Sequence, residues 1–135
     1  MRVAGIITDS VVDGPGVRFV VFAQGCPHRC VACHNPETWD PQGGREMTVK
    51  EIIKLLKKRL KFINGITFSG GEPFLQAGEF AELGREAKKL GLDVVTYTGY
   101  VYENLQQLDI ACSQDLLAIT DILVDGPFIL ELKDL

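Results

Sequence analysis

The chain has 135 residues, enough for one domain with its own core. Its 46% hydrophobic and 24% charged residues are those of an ordinary globular protein, and 14 Lys and Arg against 18 Asp and Glu leave a net charge of −4. That balance argues against broad binding to a phosphate backbone, which takes clustered Lys and Arg, and no apolar run approaches the roughly 20 residues that cross a bilayer. Neither nucleic acid nor membrane is expected as a partner.

Residues 1–10 lack the basic start and apolar core of a secretory leader, so a soluble, cytoplasmic protein is expected. No repeat, low-complexity tract or linker divides the sequence, and residues 1–135 are read as a single domain.

In chain order, residues 3–8 form a short apolar run, a strand. Asp13-Gly14-Pro15-Gly16 is a turn signal. Residues 17–23 are rich in Val and Phe and nearly continuous in apolar character, as expected for a strand buried on both faces. Residues 35–45, with two prolines and two glycines, read as loop, with Trp39 as a lid or packing residue. Thr48 and Glu51 fit a capping box, and Val49, Ile52, Ile53, Leu56 and Leu60 follow at helical spacing. The Lys54, Lys57, Lys58, Arg59 and Lys61 cluster on this helix reads as a solvated face.

Asn64-Gly65 is expected to end that helix, with a short strand at residues 66–68 broken by Ser69-Gly70-Gly71-Glu72-Pro73. A second helix spans residues 77–90, closed by Gly91, and a strand follows at residues 93–98. Residues 102–119 read as a helix interrupted near Cys112, and residues 121–124 as a strand ending at Asp125-Gly126-Pro127. Strand and helix thus alternate, which predicts an α/β fold with parallel strands and right-handed crossovers. A full eight-fold barrel takes about 250 residues, so this chain predicts an open partial (β/α) barrel with an extra N-terminal strand.

The chemistry-bearing stretch is the loop after residues 17–23. Cys26, Cys30 and Cys33 stand in a Cys-x-x-x-Cys-x-x-Cys spacing. Thiolates are soft ligands for iron–sulfur clusters and for zinc. Three thiols leave one iron of a cubane open to a substrate, because such a cluster ordinarily takes four. Structural zinc, with His34 as fourth ligand, is the alternative, although adjacent Cys33 and His34 fit one tetrahedral ion awkwardly. A disulfide framework fits less well without a secretory leader. Cys112 reads as a small buried residue.

In barrel-like sheets the active site gathers at the C-terminal strand ends. Here those ends are the cysteine loop, Gly70-Gly71-Glu72-Pro73, Thr96-Tyr97-Thr98-Gly99 and Asp125-Gly126-Pro127. Gly70 and Gly71 either let backbone approach a ligand closely or merely end a strand. Glu72 either meets an ammonium group or pins the turn. Asp125 either meets a ribose hydroxyl or cationic charge, or forms a turn before Gly126. Thr96 and Thr98 alternate with Tyr97, so one side of this strand lines the mouth and the other packs outward.

These residues together resemble the radical S-adenosylmethionine (SAM) enzymes, and within them the glycyl-radical activating enzymes of the anaerobic ribonucleoside-triphosphate reductase type. The resemblance covers Asp13-Gly14-Pro15-Gly16, Gly25 through Asn35, Thr38-Trp39, Ser69 through Pro73, Thr98-Gly99-Tyr100 and Val124 through Phe128. It implies a [4Fe–4S] cluster on Cys26, Cys30 and Cys33, with SAM chelating the open iron. Ala32, Cys33 and His34 would lie along the adenine, and Gly70, Gly71, Glu72, Thr96 and Asp125 would complete the SAM site. Many members carry an aromatic residue where this chain has Ala32. It further implies reductive cleavage of SAM to a 5′-deoxyadenosyl radical, which takes hydrogen from a glycine Cα of the reductase large subunit. A low-potential electron donor such as flavodoxin would supply the electron. Activators of pyruvate formate-lyase are the nearest alternative, and a non-catalytic iron–sulfur or zinc module the more distant one. Gly71→Val is expected to weaken SAM binding and leave the cluster intact.

Overall fold

A computed structural model describes residues 1–25, 44–100, 102–105, 112–125 and 128–131, the last four by backbone alone. In chain order it contains β1 (Arg2–Ser10), β2 (Arg18–Ala23), β3 (Arg45–Glu46), α1 (Val49–Arg59) and β4 (Gly65–Gly70). Then come α2 (Ala77–Lys89), β5 (Asp93–Thr98), α3 (Tyr102–Leu105), α4 (Ser113–Ile119), β6 (Ile122–Asp125) and β7 (Phe128–Glu131).

The strands form one sheet in the order β3-β1-β2-β4-β5-β6-β7. The central β2, β4, β5 and β6 are parallel, while β1 pairs antiparallel with β2, β3 with β1, and β7 with β6. This is the expected α/β architecture, an open sheet with an added N-terminal strand.

Local chemistry explains the element boundaries. Thr48 caps α1 through a complete capping box with Glu51, and Lys57, Lys58 and Arg59 suit its C-terminal end. Gly65 opens β4 instead of closing the helix. Asn64 donates its backbone N–H to Val17 and accepts the Val17 N–H on its side chain, which extends the β2–β4 pairing back to this point. β6 starts one residue later than the sequence suggests. Asp121 is occupied by the Val94 N–H and the Lys88 ammonium, so its side chain serves the helix–strand junction. The strand β7 was not foreseen. The middle of the expected helix 102–119 falls outside the described residues, which show helix only at its two ends.

The main core lies between the sheet and the helices. Phe19, Val21, Ile66, Phe68, Val94 and Leu123 alternate along their strands onto this side, against Ile52 and Leu56 of α1, Phe80 and Leu83 of α2 and Leu116 of α4. Phe68 meets Phe80 edge-on, with ring centroids 4.9 Å apart.

The opposite face, free of helices among the described residues, has its own seal at the strand starts. Arg18 is fully buried. It donates to Thr67 Oγ1 (2.7 Å), to the carbonyls of Pro15 and Ile66 (2.9 Å each) and to the Asp93 carboxylate. Thr67 in turn donates to the Asp13 carbonyl at 2.9 Å, so the Asp13-Gly14-Pro15-Gly16 turn closes over this end.

Candidate iron–sulfur site

The described strand ends meet at one end of the sheet, as the parallel topology requires. The Gly71 N–H donates to the Ala23 carbonyl and the Glu72 N–H to the Gly25 carbonyl, both at 2.7 Å. The Gly-Gly turn is therefore laced to the residue that immediately precedes Cys26. Gly70 has φ of +89°, a conformation suited to glycine. A Cβ on Gly71 would collide with the Gly25 carbonyl. Gly71 is thus required for packing against the base of the cysteine loop. A larger side chain at Gly71 would therefore press on the backbone of Gly25 and Ala23 as well as on any ligand at the turn.

Glu72 is fully buried. One carboxylate oxygen accepts from the Thr98 hydroxyl (2.8 Å) and the Phe74 N–H (3.2 Å), the other from the Gly99 N–H (2.8 Å). Of its two sequence readings, the geometry supports the pin: the side chain ties the end of β4 to the end of β5.

Thr98 faces the helix side and also accepts the Tyr100 N–H at 3.1 Å. Thr96 shares that side, is fully buried, and its hydroxyl lies 2.9 Å from that of Thr120. Its position takes it out of the mouth. Tyr97, on the other of the two sides that the alternation left open, faces away from the described helices and is half-buried. Burial raises its phenol pKa above the ordinary value, the charge of Asp13 adds to this, and Arg18 opposes it. Strict alternation along residues 96–98 was the available signal, but alternation does not say which side is open.

Asp125 is 4% exposed at the end of β6. Its Oδ2 accepts the Tyr102 N–H at 2.6 Å, while Oδ1 is the one buried side-chain polar atom without a partner among the described residues. A buried, unsatisfied carboxylate oxygen is costly and calls for a donor or a cation. Cys26, Cys30, Ala32, Cys33, His34, Thr38 and Trp39 lie outside the described residues. Cys112 is exposed rather than buried.

At one end of an open α/β sheet the structure thus gathers a Gly-Gly turn bound to the residue before Cys26 and a carboxylate oxygen without a partner among the described residues, an arrangement compatible with an iron–sulfur protein. The match to known families agrees. Residues 12–135 match the family described as "4Fe-4S single cluster domain", and the chain belongs to it. Membership decides the metal question left open by the cysteine spacing in favour of a [4Fe–4S] cluster over zinc.

Among curated relatives, the chain is 40% identical to a pyruvate formate-lyase-activating enzyme of Clostridium pasteurianum over 79% of this chain and 47% of that protein. It is 38% identical to pyruvate formate-lyase 1-activating enzyme of Escherichia coli K12 over 91% of this chain and 50% of that protein. A Listeria monocytogenes pyruvate formate-lyase-activating enzyme is 41% identical over 67% of this chain and 38% of its own length. The chain spans about half the length of the first two relatives. Among the described residues, no helix is long and apolar enough to cross a membrane.

Proposed function

We propose that residues 1–135 form a radical SAM domain that installs a glycyl radical on a partner enzyme in the cytoplasm. The observation that carries this reading is the pair of backbone bonds from Gly71 and Glu72 to Ala23 and Gly25. They hold the Gly70-Gly71 turn against Gly25, the residue before Cys26. In this reading Cys26, Cys30 and Cys33 hold the cluster. The backbone at Gly70 and Gly71 receives the methionine part of SAM, and Ala32, Cys33 and His34 run along its adenine. Asp125 offers its free Oδ1 to a ribose hydroxyl. Glu72 keeps the Gly70-Gly71 turn and the Thr98-Gly99 turn in fixed relation without touching the cofactor.

Held by Cys26, Cys30 and Cys33 and by the Gly70-Gly71 backbone, the reduced cluster and SAM would supply one-electron radical chemistry able to remove a hydrogen atom from a glycine Cα of the partner. The chain's own part is to bind, orient and exclude water, the usual division between cofactor and protein. No side-chain acid or base is required, and iron–sulfur potentials extend low enough, to about −700 mV, for the reduction.

The named relatives favour pyruvate formate-lyase as partner. The Val124-Asp125-Gly126-Pro127-Phe128 run favours the anaerobic ribonucleotide reductase by its resemblance to that class of activator. One experiment tests both. The protein is loaded anaerobically with iron and sulfide, reduced, and given SAM with either partner. Methionine and 5′-deoxyadenosine are expected from the wild type and not from Cys30→Ala. A glycyl-radical signal is expected on one partner only. Binding of zinc by wild type and Cys30→Ala alike, with no SAM cleavage, would overturn the reading.

A further inference from the structure

Residues 26–43, which hold Cys26, Cys30 and Cys33, run between Gly25 and Gly44. These two flanking glycines are seated close together on the start of β1. A Cβ on Gly44 would lie 2.6 Å from the Val3 carbonyl oxygen and 3.0 Å from the Gln24 side chain. The Arg2 guanidinium donates to the Gly44 carbonyl at 3.2 Å. Gln76 joins this base to the Gly-Gly turn. Its Oε1 accepts the Arg2 N–H at 2.6 Å, and its Nε2 donates to the carbonyls of Arg2 (2.9 Å) and Gln24 (3.4 Å). One N–H facing the amide oxygen and two carbonyls facing the NH₂ fix the orientation of the amide. In an antiparallel sheet, the two residues of a hydrogen-bonded pair exchange both N–H···O bonds. The Gln24 N–H makes its half of that exchange with the Arg2 carbonyl at 3.1 Å, and the Gln76 amide enters the other half. Gly71 and Glu72 bond the carbonyls of Ala23 and Gly25, so all three carbonyls before Cys26 are held by residues 71–76.

We infer that Gln76 is a positioning residue for the cluster: its amide clasps the base of the cysteine stretch and so sets where the three thiols are presented. This role rests on the proposed ligands Cys26, Cys30 and Cys33, and adds to them a residue outside both the cysteine stretch and the Gly-Gly turn. Thiols carried on one stretch hold a cluster in a fixed place only when the ends of that stretch are fixed. Gly25 (φ +102°) and Gly44 (φ +70°) adopt conformations suited to glycine and have no side chain of their own to anchor them. Gln76 supplies the anchor from outside. It stands at the N-cap of α2, whose Ala77 and Phe80 are buried in the core, so the clasp is tied to the packed body of the protein. A planar amide carries an acceptor and two donors on one rigid group, which lets one side chain bond β1 and the residue before Gly25 together.

The test uses the full chain loaded anaerobically with iron and sulfide, as wild type, Gln76→Leu, Gln76→Glu and Thr120→Val. Gln76→Leu removes the whole amide, and Gln76→Glu keeps an acceptor for the Arg2 N–H but drops both donors. Thr120→Val is the destabilised control: it removes a buried hydroxyl that lies 2.9 Å from that of Thr96 and donates to the Leu116 carbonyl at 2.7 Å. Iron release to excess chelator is followed by absorbance, and the reduced cluster by electron paramagnetic resonance. Both Gln76 variants are expected to release iron about three- to tenfold faster than wild type, the equivalent of one neutral hydrogen bond, and to show shifted g-values. Thr120→Val should match wild type in both measurements. Iron release unchanged in both Gln76 variants, or quickened as much in Thr120→Val, would overturn the inference. If the wild type takes up no cluster, amide hydrogen exchange in the same four chains decides the matter. Faster exchange at Arg2 and Gln24 in Gln76→Leu, and not in Thr120→Val, would uphold the clasp and refute the cysteine ligands. Unchanged exchange there would overturn the clasp as well.

Discussion

Glu72 shows how a single side chain joins two strand ends. Its fully buried carboxylate accepts hydrogen bonds from the Gly99 N–H, the Phe74 N–H and the Thr98 hydroxyl. Replacing it by glutamine keeps the shape but places an NH₂ where an N–H donor points. Glu72→Gln is expected to cost about 2 kcal/mol of unfolding free energy, read from urea denaturation. Unchanged stability would show that the carboxylate is not the pin. Gly71 supplies a second residue-scale case. Gly71→Ala places a methyl group against the Gly25 carbonyl, whereas Gly5 has nothing within 4 Å of an added Cβ. Gly71→Ala should therefore lose cluster on anaerobic loading, measured as iron per chain, and Gly5→Ala should not.

Elements here are set by caps and plugs as well as by propensity. The Thr48–Glu51 box satisfies donors at the start of α1, so Thr48→Ala should cost about 1 kcal/mol. Arg18 acts on a larger scale, because its guanidinium binds β4, β5 and the turn at Pro15 at once. Arg18→Met removes those donors and leaves buried carbonyls unpaired. A loss of roughly 3 kcal/mol is expected, larger than for the cap, in the same denaturation experiment. Equal losses would mean that the seal at the strand starts is dispensable.

Across the whole molecule, the first residue ties three elements together. The Met1 ammonium pairs with Glu46 of β3 and Glu79 of α2, each at 2.6 Å, and donates to the Met47 carbonyl at 2.9 Å. Burial lowers its pKa, but the hydrogen bonds and charges of the two glutamates outweigh this and the net shift is upward from 8.0. A folded pKa above the unfolded one means that the proton favours the fold. The contribution is complete below about pH 8 and is lost as pH rises through the raised folded value. Stability should therefore fall on going from pH 8 towards 10, less so in Glu79→Gln. Identical pH profiles in the two proteins would remove the pair from the account.

The alternation of apolar runs, the Thr48 cap, the Gly-Gly turn and the three-cysteine spacing were legible in the residues themselves, because each is a local pattern with a local cause. They sufficed for an open α/β sheet with parallel central strands and for an iron–sulfur cofactor. What only the folded chain decided was which partner each polar group meets. Thr96 turned to Thr120 and the helices, leaving Tyr97 on the open side, since the side of a strand that is covered depends on where the crossovers lie. Glu72 became a pin because Thr98 and Gly99, distant in sequence, end on the neighbouring strand. Among the described residues Asp125 has one oxygen unmatched, while Tyr102 takes the other. Such pairings arise from long-range register, and no window of sequence contains them.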